Sequence, residues 1–227
     1  MHPHAQKVKF MSQHKPTPRT RVKRGLKRAE YDVDKVNAII DEALICHVGF
    51  LVKGQPLVIP TCHWREGNKI YWHAHSKAQN VNAPKDNETC LTITLLDGLV
   101  MARSGLNHSV NYRSVMIFGQ PQNITDPGEK QRQLKLMIDK FSPGRWDQLR
   151  PITDIEVLAT GVLMMDLDEV SCKVRNGPAV DEPKDVSWPV WAGVLPIVSE
   201  FKAAQANPDT QQEFTEPTLP NGLYPQP

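Results

Sequence analysis

The histidines and cysteines of this sequence are the residues that could most directly bind a metal. The adjacent pairs Cys46-His47 and Cys62-His63 lie in predicted strands, where neighbouring side chains point to opposite faces, so neither pair can serve one ion. His73 and His75 share a face, but a zinc site needs further ligands that the spacing does not supply. We therefore expect no metal site and interpret His73 as a half-buried hydrogen-bonding residue.

The segment that follows His75 combines the features of a small anion site. Ser76 is a good helix N-cap, and Lys77 comes next, where a predicted strand gives way to a predicted short helix. Free N–H groups at a helix start, with an ammonium group beside them, suit a phosphate. Capped helices with such residues are also common as plain structural features, so the spacing alone leaves both interpretations open.

A second candidate segment, 102–114, places Arg103 and Arg113 among hydroxyl and amide side chains at a bend in a predicted apolar sheet. Polar groups in such a place need partners. One interpretation makes the two arginines surface residues of an antiparallel strand. The other has them line a cleft for an anionic, planar ligand.

The elements that must position these residues are mostly strands. An amphipathic helix is predicted over Asp32–Leu44, and Asp126 and Thr153 mark the starts of two further helices. The predicted strands are 44–52, 57–62, 69–75, 89–96, 99–103, 111–119, 160–167 and 170–174, with Asp97-Gly98 as a turn. This pattern predicts a mainly β (α+β) fold, an antiparallel barrel with peripheral helices. The usual glycine-rich phosphate motifs of parallel nucleotide-binding sheets do not occur in the sequence.

Composition limits the class of protein. The chain has 227 residues, 40% of them hydrophobic, and 27 Lys and Arg against 25 Asp and Glu, a net charge of +2. This allows one large core or two small ones and disfavours a dedicated nucleic-acid binder. Four widely spaced cysteines are typical of buried thiols in a reducing compartment. The longest apolar run, Val157–Met165, is too short to span a bilayer, so we expect a cytoplasmic protein without a membrane segment.

The ends of the chain differ in character from its middle. Residues 1–25 are interpreted as a flexible basic arm, 26–197 as the folded domain and 198–227 as a Pro-rich tail. The basic run Lys15–Arg28 contains no acidic residue and could contact nucleic acid or an anionic membrane. Solvated tails of this composition are more common, so we expect neither partner.

Two stretches of the sequence resemble a known family. Leu96–Ser104 and His108–Gly119 look like the central strands of the pyridoxamine 5′-phosphate oxidase-like FMN-binding split-barrel proteins, in the branch that includes nitroimidazole-resistance proteins. The resemblance covers roughly residues 28–197. Shorter matches occur at Asp41–Ala43, Tyr71–His73, Lys173–Pro178 and Pro189–Gly193.

This resemblance implies a split β-barrel that forms a homodimer, with FMN bound in clefts between the subunits. Carried over by position, Val58–Thr61 would run beside the flavin ring, and Trp72 and His73 would flank the cofactor from the next strand. The segment Ser76–Gln79 would hold the phosphate. Arg113 and Ser114 would reach the cofactor from the neighbouring strand or subunit, and Trp191 would close the cleft. The full implied set is Val58, Ile59, Pro60, Thr61, Trp72, His73, Ser76, Lys77, Gln79, Arg113, Ser114 and Trp191.

The chain departs from the family pattern both in the segments that bind the flavin and in the segment that binds the substrate. Leu57 and Cys62 stand where the oxidase proper has basic residues, and Lys77 stands alone where it has an Arg-Lys pair. Trp191 is followed by apolar residues rather than by the arginine that binds the substrate phosphate. We therefore do not expect oxidation of pyridoxine phosphate.

The predicted function is that of an FMN-binding oxidoreductase that acts on a small organic substrate, with nitro compounds as one class, and an external electron donor. The sequence assigns no catalytic residue, because reduced flavin would be the reagent and protons would come from water or His73. Two alternatives remain open. One is a haem-binding split-barrel protein in which His73 or His108 ligates iron, and the other is a non-enzymatic flavin carrier or stress protein.

Overall fold

The computed structural model describes residues 12–78, 88–210 and 216–219, and within them the chain forms three α-helices and ten strands. The helices are α1 (Val33–Glu42), α2 (Pro127–Phe141) and α3 (Asp154–Ala159). The strands are β1 (Ala29–Glu30), β2 (Ile45–Val52), β3 (Gln55–Glu66), β4 (Lys69–His75), β5 (Thr89–Met101), β6 (Ser109–Gly119), β7 (Gln122–Asn123), β8 (Thr160–Asp166), β9 (Glu169–Arg175) and β10 (Gly193–Pro196). No described helix has the length and apolar composition needed to cross a membrane.

The strands form one continuous antiparallel sheet. Their order is β1-β9-β6-β5-β2-β3-β4-β8-β7, and β10 pairs with β5 off this path. β3 is long enough to serve two neighbours, since its first part pairs with β2 and its last part with β4. β3 thereby joins the two halves of the sheet. The predicted fold class, a mainly antiparallel split β-barrel with peripheral helices, is confirmed.

The main core lies inside the curved sheet, and α1 covers it. Asp32 caps α1 by accepting a hydrogen bond from the Lys35 N–H at 3.0 Å, and the helix buries Val36, Ile39 and Ile40. These side chains share a helix face, as residues three and four apart do. They pack with inward-facing residues of the sheet, among them Val48, Trp72, Leu91, Ile117 and Val170.

A second cluster lies on the outer side of β3, β4 and β8, where α2 covers the sheet. Asp126 accepts a hydrogen bond from the Glu129 N–H at 2.7 Å and Pro127 begins the helix, as the sequence predicts. Leu134 and Met137 of α2 pack against the sheet. The cluster also contains Trp64, Tyr71, Val162 and Met164.

Some predicted elements need correction. Asp97-Gly98 is not a turn but an irregularity inside the single strand β5, where the register with β6 shifts. Its glycine is needed for a close approach, because a Cβ at Gly98 would lie 2.9 Å from the carbonyl oxygen of Leu195 in β10. Ser76 lies in a turn, with the Ala78 N–H donating to the His75 carbonyl at 2.8 Å, and residues 79–87, where the predicted short helix would continue, lie outside the described ranges. The short strands β1, β7 and β10 were not predicted.

The described part of the basic arm packs against the folded domain. His14 and Val22 are buried, and the His14 N–H donates to the carbonyl of Tyr31 at 2.8 Å. Gln13 also forms an isolated bridge with Asp32. Residues 12–25 therefore contact the folded domain, and the flexibility predicted for residues 1–25 stays a prediction. In the predicted tail, the described residues 198–210 and 216–219 contain no helix or strand.

Buried polar side chains of β3 and α2 donate hydrogen bonds to carbonyl groups at the C-terminal end of α1. His63 Nε2 donates to the Ile40 carbonyl at 2.8 Å, and Lys140 Nζ donates to the carbonyls of Ala43 at 2.7 Å and His63 at 3.1 Å. These contacts satisfy carbonyls that a helix end leaves unpaired. Burial lowers the pKa of Lys140 to about 8, and burial followed by the nearby Lys140 charge lowers the pKa of His63 to about 3.

We expect the free energy of unfolding to decrease as the pH falls below 6.5, the ordinary pKa of histidine. In this range His63 binds a proton in the unfolded chain but not in the folded one, so acid favours unfolding. The contribution is about 1.4 kcal/mol per pH unit. His63→Gln, which keeps a donor for Ile40, should reduce the slope by that amount in denaturant titrations. Equal slopes for the two proteins would contradict this assignment.

Candidate functional site

The solvent side of β3, β2, β5, β6 and β9 forms a continuous surface, which we call the open face. Strand pairing aligns Pro60, His47, Thr92, Met116 and Ser171 in one row across these five strands. The alternate residues of the same strands point into the core, as period-2 alternation requires. α2 covers the neighbouring part of the sheet, and residues 18–24 border the open face at β6 and β9.

The predicted residues of β3 divide between the two sides of the sheet. Val58, at 62% exposure, and Pro60 lie on the open face, and Ser114 of β6 lies on the same face beside Thr94. Ile59 points inward and packs against the core. The Thr61 hydroxyl donates to the His73 carbonyl at 3.3 Å. The structure therefore brings Val58, Pro60 and Ser114 to one surface.

The two arginines of segment 102–114 are held by carboxylates. Arg113 Nη2 donates to Glu42 at 2.8 Å and to Asp97 at 2.8 Å, beside the end of α1. These hydrogen bonds, first to Glu42 and then to Asp97, raise the pKa of Arg113. Arg103 Nη1 donates to Asp181 at 2.7 Å. Arg113 thus lies apart from the open face in the single chain, and its predicted contact with a cofactor stays a prediction.

The two predicted tryptophans occupy opposite environments. Trp72 is fully buried in the main core, because Tyr71 and His73 on either side of it point outward. Trp191 is 63% exposed, on the irregular segment that leads into β10. Trp191 is thus accessible to a ligand or a partner, whereas Trp72 contributes to core packing.

His73 lines a cavity of about 520 Å³ between the sheet, α2 and α3. This volume is within the range of about 300–1,000 Å³ typical of small-molecule and cofactor sites. The walls are largely apolar, with Arg150 and Glu156 as the charged groups at the cavity. The other lining residues are Leu134, Met137, Ile138, Trp146, Leu149, Ile152 and Thr160.

The imidazole of His73 is oriented by a cysteine on the neighbouring strand. Its Nδ1 atom lies 3.5 Å from Cys62 Sγ, and that sulfur also lies 3.9 Å from Met137 Sδ. Nε2 makes no hydrogen bond within the described ranges. Burial lowers the pKa of His73, so the neutral ring, which can ligate a metal, is favoured. No group of three or more His, Cys, Asp or Glu side chains in the described residues is arranged to hold a metal ion.

The predicted phosphate segment is described in part. The Lys77 N–H donates to His75 Nδ1 at 3.1 Å, and the Lys77 side chain is exposed, with no ion pair to any carboxylate that the structure describes. Gln79 lies outside the described residues. Ser76 and Lys77 follow β4 directly, so they lie beyond the end of the strand that carries His73.

Sequence reasoning missed the pairing of Cys62 with His73 and the cavity beside it. The sequence does contain the information that predicts this pairing. The turn at Gly67-Asn68 places Glu66 opposite Lys69 and so fixes the register of β3 and β4. Counting back along both strands from this turn places Cys62 opposite His73. The cavity itself depends on how α2 and α3 pack, which the local sequence does not specify.

Comparison with known proteins identifies the family. The sequence pattern of the family described as "Pyridoxamine 5′-phosphate oxidase" matches residues 32–174. Among solved structures, the flavocytochrome Anf3 from Azotobacter vinelandii is 40% identical, with a TM-score of 0.86, over 92% of this chain and 97% of that chain. An FAD- and haem-binding protein from Mycobacterium smegmatis is 27% identical, with a TM-score of 0.78, over 86% of this chain and 95% of that chain.

A more distant structure shares the fold. A candidate 5-nitroimidazole antibiotic resistance protein from Bacteroides thetaiotaomicron is 23% identical, with a TM-score of 0.55, over 64% of this chain and 86% of that chain. No curated protein matches the sequence. The family match over more than half of the chain, together with the 40%-identical relative, confirms the resemblance seen in the sequence. This chain belongs to the pyridoxamine 5′-phosphate oxidase family of split-barrel proteins.

Proposed function

We propose that the chain is a flavin-binding oxidoreductase that transfers electrons between an external donor and a small organic substrate. Family membership and the exposed strand residues of the open face support this proposal. When bound, the flavin would supply the redox chemistry, so the chain needs no nucleophile of its own. Nitro compounds are the substrate class to test first.

The residues of the open face are suited to a flat, mostly apolar ring. Val58 and Pro60 offer apolar surface, and Ser114 offers a hydroxyl on a strand farther along the same face. Lys77 has a free ammonium group within the described structure and would hold a phosphate. FMN is the flavin that the sequence predicts, whereas a relative is named an FAD-binding protein. Because both contain the same ring and first phosphate, extraction of the bound flavin would decide between them.

We further propose a second cofactor, haem, in the cavity lined by His73. The single observation that carries this proposal is a neutral imidazole, with no hydrogen bond to Nε2 from any described residue, at a 520 Å³ cavity with largely apolar walls. His108, the other candidate ligand, lies on an exposed loop with Nδ1 2.9 Å from the Ser104 carbonyl oxygen. The names of two relatives, a flavocytochrome and an FAD- and haem-binding protein, agree with this combination.

The two proposed sites are contiguous. Pro60 of the open face and Cys62 beside His73 are two residues apart on β3 and point to the same side of the sheet. Electrons could therefore pass between a flavin on the open face and an iron centre at His73 without crossing the core. A protein that binds both flavin and haem accounts for the open face and for the cavity lined by His73, whereas a flavin carrier accounts only for the open face.

A second copy of the chain would complete the flavin site. Ile45, Val58, Leu96 and Met116 expose large apolar side chains on the open face, and a partner subunit would remove this apolar surface from water. We propose the homodimer that the family resemblance implies, with the cofactor in the cleft between subunits. Sedimentation of the purified protein as a monomer at micromolar concentration would contradict it.

Titration with FMN, FAD and haem tests the proposed function. We expect one flavin and one haem to bind each chain, followed by oxidation of NADH or NADPH in the presence of a nitroaromatic or quinone acceptor. Flavin binding without turnover on any acceptor would favour the non-enzymatic carrier. No binding of either flavin would contradict the proposal outright.

Lys77→Ala is expected to weaken flavin binding. Loss of one charge-assisted contact to a phosphate should cost about 1–3 kcal/mol of binding free energy. Fluorescence quenching of FMN measures the affinity, and Lys184→Ala, which removes another exposed lysine, is the matched control. Unchanged affinity in the Lys77 variant would refute the proposed phosphate contact.

A further inference from the structure

The basic arm forms one wall of a groove on the surface of the sheet, which we call the arm groove. Residues Pro18–Arg24 lie along the outer surface of β6 and β9 and enclose, with those strands, a volume of about 650 Å³. This volume also lies within the range typical of ligand sites, about 300–1,000 Å³. The strand residues that line it are Tyr112, Ser114, Met116, Ser171 and Lys173.

Buried contacts keep this part of the arm in place. The Val22 side chain is 3% exposed, and its N–H donates to the Tyr31 hydroxyl at 3.2 Å. The guanidinium of Arg19 lies 5.0 Å from the centre of the Phe118 ring and also pairs with Glu88 and Glu169. The cations of the arm are therefore held at the groove by the fold, which a solvated tail would not achieve.

The groove concentrates positive charge that carboxylates compensate only at Arg19. Five cations line it, and no carboxylate does: Arg19, Arg21, Lys23, Arg24 and Lys173. Arg19 has carboxylate partners, but the other four form no ion pair with any described carboxylate. Like charges held close together raise the free energy of the folded chain, and a bound polyanion would relieve this repulsion.

The remaining wall indicates what kind of polyanion fits. Tyr112 offers an aromatic ring, Met116 an apolar thioether, and Ser114 and Ser171 offer hydroxyl groups. Inorganic phosphate would use the cations but not the aromatic and apolar wall. Nucleic acid would need an extended basic surface, whereas the chain as a whole carries a net charge of only +2. A nucleotide uses both parts of the groove.

We propose that the arm groove binds a nucleoside diphosphate, with the phosphates on Arg21, Arg24 and Lys173 and the base against Tyr112. Ser114, Met116 and Ser171 belong to both the groove and the open face, so the diphosphate could belong to FAD whose ring lies on the rest of that face. It could also belong to a separate nucleotide such as a dinucleotide electron donor. The proposal does not rest on the proposed oxidoreductase function, because ADP binding is measured without turnover.

Calorimetry with ADP on the full-length protein, with and without bound flavin, tests the groove. We expect ADP to bind more tightly than AMP or inorganic phosphate. Loss of one charged contact in Arg24→Gln or Lys173→Gln should weaken ADP binding by about tenfold. Lys27→Gln removes a charge from the same basic run outside the groove and should leave ADP affinity unchanged.

The same variants distinguish the two sources of the diphosphate. If it belongs to FAD, Lys173→Gln should weaken FAD but not FMN, and FAD-loaded protein should not bind ADP. If it belongs to a separate nucleotide, ADP should bind the flavin-loaded protein as well. The proposal is overturned if ADP binds neither the flavin-free nor the flavin-loaded protein, or if Lys27→Gln weakens ADP binding as much as Lys173→Gln does. It is also overturned if the groove variants impair binding of oligonucleotides or anionic vesicles and leave ADP binding unchanged. If the protein binds ADP but neither FMN nor FAD, the proposed function is wrong and the proposal that the groove binds a nucleotide stands.

Discussion

Replacing His73 with alanine is expected to abolish haem binding while leaving flavin binding unchanged. The imidazole supplies the proposed iron ligand, and its removal leaves a cavity whose remaining walls are largely apolar and offer no other nitrogen ligand of this kind. The flavin contacts proposed for Val58, Pro60 and Lys77 do not involve this ring. Absorption spectra after addition of haem and of FMN measure the two effects separately.

His108→Ala is the matched control for this experiment, because it removes a histidine that is exposed on a loop. The control should keep the Soret band of bound haem. Loss of the band in the His108 variant and its retention in the His73 variant would reverse the assignment. A second variant, Cys62→Ser, tests whether the thiol orients the ring: haem should still bind, with a shifted Soret maximum or reduction potential.

Replacing Trp72 with alanine is expected to lower the free energy of unfolding by about 3–5 kcal/mol, the usual cost of truncating a buried aromatic side chain. Its side chain is fully buried, so the substitution would leave a large cavity in the main core. Chemical denaturation monitored by circular dichroism measures this loss.

Trp188→Ala is the control, since this tryptophan is 64% exposed and its removal should change stability by less than about 0.5 kcal/mol. Equal losses in the two variants would contradict the placement of Trp72 in the core. If the Trp72 variant kept its stability but no longer bound flavin, this result would instead support the contact between Trp72 and the cofactor that the family resemblance implies.

Local sequence signals predicted most of the elements because each signal has a local physical cause. Asp32, Asp126 and Thr153 accept hydrogen bonds from N–H groups three residues later, so the starts of all three described helices follow from short sequence patterns. Strand alternation similarly predicted β4 at its observed bounds, Lys69–His75. Short strands such as β7 and β10 carry too few residues for such a pattern and form because a neighbouring strand offers unpaired backbone groups.

The candidate site was less predictable because its geometry depends on contacts distant in the sequence. Arg113 could be recognised as an arginine within a sheet, but its partner Glu42 lies 71 residues away. Trp72 and His73 were assigned together to the cofactor, although alternation sends adjacent strand residues to opposite sides. The arm groove arises where residues before α1 pack on β6 and β9, which no local pattern in the basic run indicates.

The absorption spectrum of the protein purified from cells supplied with iron and riboflavin tests the central claim most directly. We predict flavin bands together with a Soret band, in a ratio of about one flavin to one haem per chain. Reduction by dithionite should bleach the flavin bands and shift the Soret band. A spectrum without flavin bands that remains unchanged after addition of FMN or FAD would contradict the account.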